Sequence, residues 1–342
     1  MQNLPFLPLD SESPPTLQGE ALSTYVQNVA EALRDDLNMA GELTAQWQQA
    51  SLAESLVDAA VRRCLNRLEA TGCVGVANRL PSSRLWNLLG ERLSHSWLVH
   101  RARTKPRGYA GDYELLEWIC ENRVGDHPFG RALDRFFQNQ AAPHAVRART
   151  DLFASAIVEA LLHNAGNPVR LVHVGAGPAA DVRRAAAMLP AELRLRLHAT
   201  LLDLDPAALD FACERLTMLL PGDQIAVRQV NVKRLKRESD AFSDADVLAC
   251  PGLFDYLTDE EAAALLSLFW QRLRPGGRLL VGNFAPDHPT RSYMEWVGNW
   301  YLIYRTKEDL RRLAIQAGIP LTAFSITAER FGVNLFILAQ KR

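Results

Sequence analysis

VRLVHVGAGPAAD, residues 169–181, runs from β-forming residues through a glycine-broken turn into a helix start. Gly175 and Gly177 allow a tight turn and a close backbone approach to a ligand, and the helix start behind them offers unpaired N–H groups. Around this stretch, short β-rich runs alternate with helical ones, which predicts parallel strands in an α/β sheet. The predicted strands are VRLVHV (169–174), HATLLD (198–203), IAVRQV (225–230), DVLAC (246–250) and RLLVGNF (278–284). Helices are predicted between them at about 179–189, 206–219 and 259–273. A helix at about 307–317 then leads to PLTAFSIT and NLFILAQ, which read as an antiparallel hairpin, with Gly332 in its link, closing the sheet edge.

Upstream the texture changes. Apolar residues recur at helical spacing from about Leu22 to His100, as in Tyr25, Val29, Leu33 and Leu37, and another helix is expected from about Pro143 to His163, carrying Arg147 and Arg149. Pro5, Pro8, Pro14 and Pro15 mark an extended tail. The expected organisation is a tail over 1–18, a helical region over 19–145 and a ligand-binding α/β domain over 146–342.

The chain has 342 residues, 48% hydrophobic and 23% charged, which is ordinary globular material. A formal net charge of -1 lacks the basic excess that nucleic-acid binding favours. Cys64, Cys73, Cys120, Cys213 and Cys250 are scattered without a CxxC pair, so neither a disulfide framework nor a metal site is expected. No stretch has the length of a signal h-region or a membrane span, and a cytoplasmic location is the expectation.

Two further features point to chemistry. Asp203 closes the second strand in LLDLDPAAL, where a carboxylate can accept both hydroxyls of a ribose, and Pro206 opens the next helix. In doubly wound sheets a ligand lies over the carboxyl ends of the strands, so the glycine turn, Asp203, Asn231 and the segment after Cys250 face one crevice. The second feature is TKPRGYAGDYE, residues 104–114, a glycine-broken loop carrying Arg107, Tyr109, Asp112 and Tyr113. It reads equally as a ligand-touching lid or as a helix connection in which Asp112 is an N-cap. Residues 291–305 concentrate Tyr293, Trp296, Trp300, Tyr301 and Tyr304, which can pack on the helical region or wall an acceptor pocket.

GAGPAA also fits the dinucleotide fingerprint, so a nicotinamide-dependent oxidoreductase is one reading. A second mononucleotide-binding half does not follow, and the chain instead ends in a helix and a hairpin. That layout resembles the class I S-adenosylmethionine-dependent methyltransferases over about residues 145–342, through VHVGAGPAAD, LLDLDPAAL, DADVLACPGLFDYL and LRPGGRLLVGNF. The resemblance implies a Rossmann-like sheet with S-adenosylmethionine as cofactor. It implies that Gly175 and Gly177 approach the methionine part, Asp203 holds the ribose, Asn231 and Val232 lie near the adenine and Cys250 to Phe254, with Pro251, Gly252 and Leu253 between them, border the methyl group, and it adds Ala176, Asp181 and Leu204 to the cofactor-binding residues. Family members often carry an acid where this chain has His173.

KPRGYAGDYELLE, AVRART and RSYMEWVGNWYLIYRTKEDL further resemble a bacterial subgroup typified by synthases of 3-hydroxy fatty acid methyl esters that serve as quorum-sensing signals. The resemblance implies O-methylation of a small or fatty carboxylic acid, with other small metabolites, oxidoreduction, or a non-catalytic cofactor-binding subunit as alternatives. A homodimer is compatible with it. A carboxylate nucleophile needs alignment and a cationic or hydrogen-bonding clamp. Arg107, Arg291 and Arg305 are the candidate cations, and Tyr109, Tyr113, Tyr293, Tyr301 and Tyr304 the candidate donors. A neutral hydroxyl or amine would need a base, for which Asp112, Asp255 and Glu295 are candidates. Cys250 is expected to be a buried thiol.

Overall fold

The computed structural model describes residues 18–45, 49–164, 166–235 and 244–342. The expected tail, except residue 18, and the far end of the basic run 232–238 lie outside them. The first half of the described chain is helical: α1 (Gly19–Ala45), α2 (Ala50–Glu69), α3 (Arg79–Leu93), α4 (Trp97–Thr104), α5 (Tyr113–Cys120), α6 (Pro128–Gln138) and α7 (Ala141–His163). Leu22, Val26, Val29, Leu33 and Leu37 of α1 are buried along one stripe, as their spacing predicts. Each such leucine contributes about 2 kcal/mol relative to leaving it in water.

The sheet comprises β1 (Val169–Val174), β2 (Leu197–Asp203), β3 (Ile225–Gln229), β4 (Ala245–Cys250), β5 (Leu273–Phe284), β6 (Phe324–Ala328) and β7 (Asn334–Gln340). Its helices are α8 (Ala180–Met188), α9 (Ala191–Arg194), α10 (Pro206–Thr217), α11 (Asp259–Arg272) and α12 (Lys307–Gln316). The strand order is β3-β2-β1-β4-β5-β7-β6. β1 to β5 pair in parallel, and β7 is antiparallel to both β5 and β6. Five parallel strands closed by a terminal hairpin is the arrangement the sequence pattern predicts. The order reverses direction at β1 and β4, which opens a crevice above their carboxyl ends.

Two boundaries differ from the pattern. β5 begins at Leu273 rather than residue 278, because Leu273 pairs with Ala245 before a register shift to the Val247–Arg278 pair. Pro275 and Gly276 lie in that irregularity, and Gly276 takes a φ of 82° while its N–H donates to the Lys341 carbonyl at 2.6 Å. At the other edge, Leu321–Ala323 form a 3-10 turn behind Pro320, so β6 starts only at Phe324.

The aromatic segment joins the two halves. Tyr293, Trp296, Val297 and Trp300 are buried in the same apolar core as α1 to α6. Tyr293–Val297 form a π-helical turn. The Glu295 carboxylate in that turn accepts from the Gly75 N–H at 2.6 Å, and Ser82 Oγ donates to the Trp296 carbonyl at 2.9 Å.

Candidate active site

One cavity of about 500 Å³ lies above the carboxyl ends of β1, β2 and β4 and beneath α4 to α7. Its sheet side is the glycine turn. Gly175 and Gly177 take φ values of 65° and 51°, a region that costs a residue with a Cβ about 1–2 kcal/mol. The Gly175 N–H donates to the Leu202 carbonyl at 2.8 Å, and the Gly177 N–H donates to Asp203 Oδ2 at 2.8 Å. Asp203 Oδ1 accepts from the Asp205 N–H at 3.0 Å. A carboxylate has about four acceptor positions, so Asp203 keeps capacity for two more donors, such as a ribose diol. Burial raises its pKa, against the pull of those N–H groups.

Of the residues that the resemblance assigned to the cofactor, Gly175, Ala176, Gly177, Asp181, Asp203, Leu204, Asn231, Val232, Pro251, Gly252 and Leu253 line this cavity, whereas Cys250 and Phe254, the two ends of the stretch set against the methyl group, are buried behind it. His173 occupies the position where an acid is common, and its Nε2 lies 2.8 Å from Asp181 Oδ2 at the start of α8. Asp181 thus brings an acid to the same wall from the other side of the turn. Burial raises its pKa, but the adjacent His173 and the Val182 N–H outweigh that and leave it lowered.

The loop after α4 closes over the Asp203 end. Asp205 caps α10 by accepting from the Ala207 N–H at 3.0 Å, ahead of Pro206 at the first helical position. The same carboxylate receives Arg107, through Nε at 2.8 Å and through a second, shorter contact from Nη2, and Tyr109 Oη at 2.9 Å. Its pKa is lowered, first by the Arg107 hydrogen bonds. On the opposite side Tyr256 Oη donates to the Ala110 carbonyl at 3.2 Å, and Lys105 Nζ donates to the Asn299 carbonyl at 2.6 Å. Gly111, at φ 69°, lies against Trp300, and an added Cβ would meet Trp300 Cζ2 at 2.6 Å. Behind the loop, buried Glu117 of α5 pairs with Arg183 of α8 at 2.7 Å and Arg215 of α10 at 3.2 Å.

The residues named as catalytic from sequence divide. Tyr109, Tyr113 and Tyr293 line the cavity, whereas Arg107, Asp112, Arg291, Tyr304 and Arg305 do not. Arg107 is engaged by Asp205. Asp112 is the N-cap of α5, accepting from the Glu114 and Leu115 N–H groups, and it pairs with Arg101 at 2.8 Å. Arg291 pairs with Glu295 at 2.9 Å and stacks over Tyr304. Arg305 is fully buried, donating to the Phe254 and Leu257 carbonyls, to Asn283 Oδ1 and to Asp259. These arginines hold the walls and leave no guanidinium of theirs in the cavity.

Sequence reasoning did not single out Arg149 for the site. This α7 arginine is buried, lines the cavity, and donates from Nη1 to the Pro251 carbonyl at 2.9 Å. It is the one Lys or Arg among the described residues that line the cavity, and no carboxylate pairs with it. Its place in AVRART carries no signal of its own, since burial depends on how α7 lies over β4. Of the candidate bases, Asp112 and Glu295 are engaged as described, and Asp255 remains. It lines the cavity, accepts from the Phe284 N–H at 2.7 Å through Oδ1, and burial pushes its pKa up to about 7. Cys250 is buried beneath the site and does not line it, and burial pushes its thiol pKa far up. The far side of the cavity is mostly apolar, with Val99, Ile119, Phe137 and Val146 of the helical region beside Met294 and Leu302 of the aromatic segment, and Thr150 and Thr290 among them.

Comparison with known proteins agrees with this fold. No protein-family model and no curated protein matches the chain. Among solved structures the chain is similar to a protein of Bordetella parapertussis described as a possible exported protein, at 17% identity and a TM-score of 0.56 over 94% of this chain and 97% of that one. It is similar to the CurJ carbon methyltransferase at 14% identity and a TM-score of 0.50, over 94% and 93% of the two chains. Magnesium protoporphyrin IX methyltransferase from Synechocystis, crystallised with S-adenosylhomocysteine, aligns over 59% of this chain and 87% of that one at 16% identity and a TM-score of 0.44. The fold is therefore a methyltransferase-type, Rossmann-like sheet with a helical N-terminal region. Among the described residues, no helix is long and apolar enough to cross a membrane.

Proposed function

We propose that the chain is an S-adenosylmethionine-dependent methyltransferase that converts the carboxylate of a small or fatty hydroxy acid to its methyl ester. The observation that carries this reading is the continuity of the cavity. One end is the glycine turn with Asp203, suited to a nucleoside, and the other is an apolar chamber beneath α4 to α7. The cofactor fits the residues present: Asp203 has acceptor capacity for the ribose, Asn231 and Val232 flank the adenine side, and Gly175 and Gly177 remove Cβ atoms from the methionine side. When bound, the cofactor supplies an electrophilic methyl group on a sulfonium.

The protein's part is alignment and exclusion of water. The 104–112 loop, held by Asp205 on one side and Tyr256 on the other, covers the nucleoside end. Val99, Phe137 and Met294 wall the acceptor end with apolar surface, as suits a hydrocarbon chain. The lining carries Asp181 and Asp203 at the glycine turn, and beside the loop after β4 it offers the Arg149 guanidinium and an Asp255 held neutral at mildly acidic pH, which leaves room for an anionic acceptor. The likeness in fold to CurJ, a carbon methyltransferase, and the antiparallel β7 and β6 beside β5 support methyl rather than hydride transfer.

The test is incubation of the full chain with methyl-labelled S-adenosylmethionine and a panel of fatty, hydroxy and short acids, with product identification by mass spectrometry. A base-labile labelled methyl ester is expected. Label on a hydroxyl or amine, or a melting temperature raised by NADH and not by the cofactor, would overturn the reading.

A further inference from the structure

The proposed reaction brings two carboxylates into one cavity, that of the cofactor's amino-acid moiety and that of the acceptor. The lining offers a single guanidinium for both. Arg149 rests on the loop after β4, where a Cβ on Gly252 would lie 3.1 Å from its Nη1. That loop touches the glycine turn, since a Cβ on Gly175 would lie 3.3 Å from Leu253 Cβ. Arg149 therefore stands where the loop after β4 meets the glycine turn, and its one guanidinium leaves the second carboxylate to a donor of another kind.

Asp255 has the geometry of that donor. Its Oδ1 is fixed by the Phe284 N–H of β5, and its carbonyl accepts from the Ile303 N–H at 2.7 Å, so two elements hold the residue in place. It is 3% exposed and lines the cavity, and of its two carboxyl oxygens Oδ1 carries the Phe284 bond while Oδ2 takes no hydrogen bond among the described residues. Resting on the methyl-ester reading, we infer that Asp255 binds the acceptor in its neutral form, donating a hydrogen bond from Oδ2 to the acceptor's carboxylate.

The surroundings agree. Burial favours the neutral form of Asp255, while Arg149 from α7 and Arg305 from the segment before α12 favour the ionised form without overcoming it at mildly acidic pH. Cys250 at the end of β4, Tyr256 next to Asp255 in sequence, and Tyr304 near it are neutral at these pH values because burial pushes all three up. In the transfer the sulfur–methyl bond breaks to leave a neutral thioether, and a carboxylate oxygen forms the new bond. The sulfonium's positive and the acceptor's negative charge cancel, and the proton stays on Asp255. No proton is released, whereas a base-assisted transfer to a hydroxyl would release one.

The experiment uses the full chain, saturating cofactor and the best acid of the panel, with kcat/KM for the acid followed from mildly acidic to mildly alkaline pH. The wild type is expected to fall by about tenfold per pH unit once Asp255 ionises, since only its neutral form donates. Asp255→Asn, which carries a donor at every pH, is expected to be slower than the wild-type plateau but flat with pH. A fall that persists in Asp255→Asn, or a wild-type rate that rises with pH and is lost in that variant, would overturn the inference. Should the variant not fold, calorimetry of acid binding to the wild type decides: proton uptake from buffer near neutral pH is expected, and its absence overturns the inference. If no acid yields a methyl ester, the functional reading itself fails. If ester forms and the pH results go the other way, only the role of Asp255 fails.

Discussion

Replacing Asp205 by Asn tests whether the 104–112 loop is a latch on the cofactor end of the cavity. Asn at this position still caps α10, because its side-chain oxygen can accept from the Ala207 N–H. What it loses is the negative charge that receives Arg107 at 2.8 Å through Nε and Tyr109 at 2.9 Å, together with the shorter Arg107 Nη2 contact. The Asp205 side chain is only 6% exposed, while Arg107 is 33% exposed, so the pair is partly screened. Hydrogen bonds to a charged group are worth about 1.5–3 kcal/mol each in buried settings. Allowing for solvent at Arg107 and for bonds that Asn retains, the latch should weaken by about 2 kcal/mol, which is about thirtyfold in the open fraction of the loop. Cofactor dissociation, followed by stopped-flow fluorescence or calorimetry, should quicken by about that factor. The melting temperature of the free protein should change little, because loop opening is local. A double-mutant cycle with Arg107→Met isolates the pair. Coupling near zero in cofactor affinity, or unchanged protease sensitivity of the loop, would refute the latch.

The other predictions concern the glycine turn, the loop and the buried acid. Asp203→Ala removes the acceptor for the Gly177 and Asp205 N–H groups as well as the ribose contact, and cofactor affinity measured by calorimetry should fall by about a hundredfold or more, near 3 kcal/mol. Gly111→Ala places a Cβ 2.6 Å from Trp300 at a φ of 69°, so it should displace the loop and lower turnover while the sheet stays intact by circular dichroism. Asp255 also leaves a mark on stability. Its folded pKa, about 7, lies above the ordinary carboxyl value, so between the two the folded state binds more protons than the unfolded one. Stability should therefore decline as pH rises through that window, by about 1.4 kcal/mol per unit, and level off above the folded pKa. Denaturant unfolding of Asp255→Asn should lack that slope, and parallel curves for the two proteins would contradict the assignment.

Much of the architecture is legible along the chain because parallel strands and their helices are local patterns with sharp punctuation. Val169–Val174, the glycine turn and Pro206 each mark a boundary by their own chemistry. The Leu273–Phe284 strand is less legible, since Pro275 and Gly276 read as a break when they are an irregularity inside a longer pairing. The site follows the same division. Its cofactor side is written in backbone chemistry and strand ends, and those residues meet in one cavity. The acceptor side depends on which arginines find partners, and that is a matter of tertiary packing. Arg107, Arg291 and Arg305 look like clamps in sequence, yet each has an acid or a set of carbonyls to satisfy it, whereas Arg149 forms no salt bridge among the described residues because α7 carries it onto the loop after β4. Asp112 shows the converse, since the N-cap reading drawn from its position describes its hydrogen bonds. Asp205, which sequence reasoning passed over, stands before Pro206 as an N-cap does, but nothing in the sequence indicates that Arg107 reaches it.

The most direct measurement of the central claim is mass spectrometry of the product formed from methyl-labelled S-adenosylmethionine and a panel of free acids by the wild-type chain and Asp203→Ala. The account predicts a labelled methyl ester with the wild type, in step with S-adenosylhomocysteine, and none above background with the variant. Equal label from both proteins, or label on a hydroxyl or amine and never on a carboxyl group, would contradict it.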